Sequence, residues 1–173
     1  ACVQFNDVER AQLSARSKTV DHDRVARLQY LGNYVRRLPV TMARMLENAH
    51  DWEHLPYVHA SSFTAIALAD SGHWGWRAKA MPAGQNEPQL LELLVDASRN
   101  YWATTVLSGP AASVEIHTQA TAVSTTDIEV DVRFYASRPV ADGEVPIYHE
   151  VLAAQYAQLY DEDLGLMQGR QTA

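Results

Sequence analysis

The clearest pattern in the chain lies at residues 128–134. Ile128, Val130, Val132 and Phe134 fall on one side, and Glu129, Asp131 and Arg133 on the other. A period of two describes a strand with one covered face and one partly wet face. Looser versions predict strands over 63–68, 73–81, 89–97, 100–107 and 113–123, with the cleanest one spanning 126–136. Asp70-Ser71-Gly72, the stretch from Pro82 to Pro88, Ser108-Gly109-Pro110 and the stretch from Ser124 to Asp127 punctuate them. Gaps of hairpin length make neighbouring strands antiparallel.

Two stretches carry helical spacing instead. Met42, Met45, Leu46 and Ala49 form an apolar stripe behind Thr41, a good N-cap residue. Pro56 then disfavours continuation, so that helix, expected over about 41–54, ends, kinks or restarts at 54–57. Near the C-terminus, Val151, Leu152, Ala154, Tyr156, Leu159, Leu166 and Met167 predict one long helix over about 147–170. Gly165 is its weak point. Residues 24–37 read as a strand pair or one bent strand, with a turn or bulge at Gly32-Asn33. Residues 1–23 are polar and read as a surface arm or linker, with one or two helical turns at 8–15.

The order helix, strands, long helix defines an α+β domain over residues 24–173. An antiparallel sheet and the two helices, both on one sheet face, would enclose a cavity. Trp74, Trp76, Tyr101, Trp102, Phe134 and Tyr135 are the aromatic candidates for its lining. Period two puts Trp74 and Trp76 on the same face.

Bulk composition narrows the function classes. With 173 residues the chain suits one core. Its 47% hydrophobic and 20% charged residues are those of a globular protein. A formal charge of -7 repels a phosphate backbone, so no nucleic-acid partner is expected. No apolar run is long enough to span a bilayer and no signal peptide is visible, so no membrane partner is expected. Cys2 is the single cysteine, which forbids an internal disulfide and fits a cytoplasmic setting. There is no Gly-x-Ser-x-Gly elbow and no phosphate-binding glycine loop.

The densest chemistry lies at residues 46–63. His50, His54 and His59 stand there beside Glu47, Asn48, Asp51 and Glu53. Asn48, Asp51 and His54 are three apart and share a helix face. A chain break at Pro56 would bring His59 back toward His54. Two imidazoles and one carboxylate form a face that binds non-haem Fe(II), and such a pair also suits zinc. Asp161, Glu162 and Asp163 on the last helix are the carboxylate candidates.

The spacing Asn48-x-x-Asp51-x-x-His54-x-x-x-x-His59, within Leu46-Glu47-Asn48 and His54-Leu55-Pro56-Tyr57-Val58-His59, resembles the iron-binding segment of Rieske-type aromatic-ring oxygenases and O-demethylases. The resemblance covers roughly residues 24–171 and rests on this segment and the late Glu162-Asp163 pair. It implies a helix-grip catalytic domain, similar to the START and birch-pollen-allergen (Bet v 1-like) superfamily. It implies mononuclear Fe(II) on His54, His59 and Asp163, with Asp51 leading toward the electron donor and Asn48 at a polar position near the iron. The implied reaction is hydroxylation or oxidative demethylation of a small aromatic or apolar molecule. The Cys-x-His and Cys-x-x-His segments of that family's electron-donating domain are absent. The electrons would come from an external Rieske [2Fe–2S] protein or ferredoxin, or from a Rieske domain elsewhere in a longer protein; a fold that has lost the redox role and kept the pocket is the remaining option. A homo-oligomer, specifically a trimer, is also implied. The alternative is a helix-grip protein that binds a small hydrophobic ligand without catalysis, and a purely structural subunit would have a filled core.

Overall fold

The computed structural model describes residues 4–51, 63–109 and 112–172. Its strands are β1 (Gln29–Leu38), β2 (Phe63–Gly72), β3 (Gly75–Pro82), β4 (Gln89–Asp96), β5 (Tyr101–Ser108), β6 (Val114–Ala122) and β7 (Ile128–Ala136). They form one antiparallel seven-stranded sheet in the order β1-β7-β6-β5-β4-β3-β2. Its helices are α1 (Asp7–Ser14), α2 (His22–Val25), α3 (Met42–His50) and α4 (Val145–Thr172). This is the α+β helix-grip fold. No helix among the described residues is long and apolar enough to cross a membrane.

The sheet sorts side chains as the alternation in β7 requires. Ile128, Val130, Val132 and Phe134 are buried on the inner face. Against that face pack α3 and α4, which also approach each other. Thr41 caps α3 by accepting a hydrogen bond from the Arg44 amide (3.2 Å). Inward residues of α4 follow helical spacing through Leu152, Tyr156, Tyr160, Asp163 and Met167.

Residues 24–37 resolve into the short α2 and a single strand. β1 carries a bulge between Tyr30 and Gly32, so the bent strand is observed and the strand pair is not. Position 32 has a steric reason to be glycine. Gly32 has φ +131°, and a Cβ there would lie 2.4 Å from the His149 ring. His149 shares a hydrogen bond with the Asn33 carbonyl through Nε2 (2.8 Å), which fastens the start of α4 to β1.

The N-terminal segment is strapped to the outer face of the sheet. The Arg77 guanidinium, 2% exposed, donates to Glu92 (2.8 Å) and to the carbonyls of Leu13 (2.9 Å) and Ser17 (2.8 Å). Arg16 pairs with the same Glu92 through Nε and Nη2 (2.9 and 2.8 Å). Arg24 forks onto Glu115, which is also hydrogen-bonded by His117. Burial works against ionisation of Glu115, but the His117 and Arg24 hydrogen bonds outweigh it and lower its pKa to about 2.

Two tests follow from this packing. Val132 is 0% exposed, so Val132→Asp buries an unpaired charge and is expected to cost at least about 3 kcal/mol in urea unfolding. An unchanged urea midpoint would mean that β7 faces the other way. The second test is acid titration. The pKa of Glu115 lies below its ordinary 4.5 in the folded state, so its stabilisation is full above about 4.5 and lost as pH falls toward about 2. That loss is expected to approach roughly 3 kcal/mol and to disappear in Glu115→Gln, read from denaturant midpoints across that window.

Candidate functional site

Between the inner sheet face and the two helices lies a cavity of about 190 Å³. Met45, Asn48 and Ala49 of α3 form one part of its wall, and Leu152, Tyr156, Leu159 and Tyr160 of α4 another. The strands contribute Trp76, Leu91, Leu93, Trp102 and Ile116. Trp76 donates its indole N–H to the Ala49 carbonyl (3.0 Å), which ties β3 to the last turn of α3. That bond satisfies the one polar atom of the ring and turns its apolar body toward the cavity.

Of the six aromatic candidates, Trp76 and Trp102 line the cavity. Phe134 is on the inner face but packs against Tyr156 and His149. Tyr101 and Tyr135 sit on the outer face around His117, with the Tyr101 hydroxyl 2.7 Å from His117 Nδ1. The expectation that Trp74 shares a face with Trp76 fails. β2 ends at Gly72 and β3 begins at Gly75, so Trp74 belongs to the hairpin turn and strand periodicity does not reach it. Its ring lies under Lys18 and Arg77 instead, at 4.8 and 5.0 Å.

The polar groups of the cavity are few. Asn48 is 3% exposed, and its Oδ1 has no hydrogen-bond partner among the described residues. Asp163 is 8% exposed and is the one charged side chain among the described residues that line the cavity. Burial pushes the phenols of Tyr156 and Tyr160 above the ordinary tyrosine value, and the Asp163 charge adds to it. Thr104 and Thr118 oppose the shift without reversing it. Both phenols are therefore neutral over the physiological range.

Asn48 and Asp163, expected from the sequence, thus share one cavity. Asp51 forms the C-cap of α3, its amide donating to the Asn48 carbonyl (3.2 Å). His54 and His59 lie outside the described residues. Among the described residues, no cluster of three or more His, Cys, Asp or Glu is arranged to hold a metal ion.

A second cavity, of about 260 Å³, opens on the outer face between the N-terminal segment and the sheet. Arg16, Arg24, Glu92, Glu115 and His117 line it. Sequence reasoning missed this cluster, because Glu92 and Glu115 occupy the alternate positions that strand periodicity assigns to solvent.

No protein-family model matches the chain, and no curated protein sequence matches it. Solved structures do resemble it. A START superfamily protein from Mycobacterium smegmatis has a TM-score of 0.63 at 12% identity, covering 80% of this chain and 97% of that one. The Zhui aromatase/cyclase from Streptomyces sp. R1128 has a TM-score of 0.57 at 13% identity, covering 80% and 91%. Norcoclaurine synthase from Thalictrum flavum, in complex with a transition-state analogue, has a TM-score of 0.59 at 11% identity, covering 81% and 94%. These likenesses show a START/Bet v 1-like helix-grip fold. At such identities they carry the fold and no activity.

The side-chain amide oxygen of Asn48, buried without a partner among the described residues, generates a stability test. Leucine is close to asparagine in shape and has no polar atom to desolvate. Asn48→Leu is therefore expected to raise the unfolding free energy by about 1–2 kcal/mol in urea. A fall of similar size would mean that Asn48 is hydrogen-bonded in the folded protein.

Proposed function

We propose that the chain binds a small, mostly apolar molecule in the cavity between the sheet and α4. The carrying observation is the cavity itself: about 190 Å³, walled by Trp76, Trp102 and aliphatic side chains, with Asn48 as a buried polar anchor. A concave, largely apolar pocket with a few placed polar groups is the usual form of a small-molecule site. A dry apolar cavity of roughly 150 Å³ in another protein accepts benzene. This one has room for a ring with substituents. The helix-grip structures similar to it include an aromatase/cyclase and a synthase bound to a transition-state analogue, which supports use of the fold around small molecules.

One observation favours a second reading. Asp163 places a buried carboxylate in the cavity wall, on the helix where an iron site would need it. In that reading His54, His59 and Asp163 would hold Fe(II), with Asn48 and Asp51 as the further site residues. Iron so held would supply oxygen activation, with electrons from a partner Rieske protein, toward hydroxylation or demethylation of a small aromatic substrate. The contribution of Asp163 is negative charge held away from water, where it interacts more strongly with a cation.

One titration series tests both. Toluene and indole are added to the protein while thermal unfolding and tryptophan fluorescence are followed. Saturable binding at one hundred times Kd is expected to stabilise by about 2.7 kcal/mol, a rise of roughly 5–10 °C. Leu93→Trp, which fills the cavity, is expected to abolish the shift. No saturable response from the wild type would overturn cavity binding. Anaerobic Fe(II) titration of wild type, His54→Ala and Asp163→Ala checks the second reading. It requires one ion per chain, lost in both variants, and equal uptake by all three proteins ends it.

A further inference from the structure

Building on the cavity-binding reading, we infer that the bound molecule presents a hydrogen-bond donor to Asn48, a phenol-class hydroxyl on an aromatic ring. Asn48 is 3% exposed and its Oδ1 is left without a partner among the described residues. A buried acceptor in that state costs free energy in the empty protein, and a donor brought in by a ligand recovers it.

The remaining wall selects among donor-bearing molecules. Trp76 and Trp102 offer ring surfaces, which favour an aromatic body. The Asp163 carboxylate repels an anionic ligand, so aromatic carboxylates are disfavoured. A neutral hydroxyl sheds water at lower cost than an ammonium group, which suits so apolar a cavity.

The test is calorimetric titration of the whole chain with three ring compounds of similar size: p-cresol, 4-methylanisole and 4-methylbenzoate. p-Cresol is expected to bind about tenfold or more tighter than 4-methylanisole, which has no donor, with 4-methylbenzoate weakest. Asn48→Leu is expected to bring the cresol-to-anisole ratio to about one, by weakening p-cresol and sparing 4-methylanisole. Should that variant fail to fold, Asn48→Ala is read by the same ratio. Equal affinities in the wild type, or a ratio unchanged by the substitution, would overturn the donor inference and leave cavity binding standing. Failure of all three compounds to bind would overturn both.

Discussion

The structure turns on a mismatch of widths. Seven strands about 4.8 Å apart make a sheet roughly 30 Å across, whereas a helix with its side chains is only about 10–12 Å wide. α4, at 28 residues, is long enough to run the full extent of the inner face. It is not wide enough to fill it. α3 covers part of the remainder, capped by Thr41 and held by the bond from Trp76 to Ala49. The space left between the two helices and β3 to β6 is the cavity. A hollow is thus a consequence of covering a large sheet with few helices, and its lining inherits the apolar inner face of the strands.

The outer face solves the opposite problem. Its alternate positions are polar, yet Arg77, Glu92 and Glu115 are buried there. Charges withdrawn from water are tolerated when paired and hydrogen-bonded. The N-terminal segment supplies those partners through Arg16, Arg24 and the carbonyls of Leu13 and Ser17. Residues 4–25 therefore belong to the electrostatic closure of the sheet.

How much of this could be read in advance depends on the range of the interactions. β7, the Thr41 cap and the long α4 are set by near neighbours in sequence, and their signals survive in the chain. Gly32 was legible as a bulge or turn because glycine there has few other uses. The meeting of Gly32 with His149, over a hundred residues later, leaves no local mark. Trp74 misled because a two-residue turn interrupts strand periodicity without a proline or an Asn-Gly pair to announce it. The ion pairs of Glu92 and Glu115 were invisible for a related reason. Periodicity sorts residues by face but says nothing of what covers that face. Asn48 and Asp163 are singled out in the sequence only by resemblance to an iron-binding segment; both line the inner cavity, from α3 and α4 respectively.

The two cavities differ in how their polar groups are satisfied. In the outer one, Glu92 and Glu115 each accept hydrogen bonds from two side chains, and His117 is engaged at both ring nitrogens. A ligand entering there would have to displace strong charge-assisted bonds, and each displaced group would need a replacement of equal strength. The inner one differs in kind. Among the described residues its walls are largely apolar with Asp163 as the one charged side chain, its tyrosines are neutral, and Asn48 Oδ1 is buried without a hydrogen bond. A leucine would fit that position at lower cost to the empty protein. Asparagine there sacrifices stability in the absence of ligand, and complementary binding would restore it. The same rule, that buried polar groups require partners, is met by the ion pairs of the outer cavity and left unmet at Asn48 in the inner one.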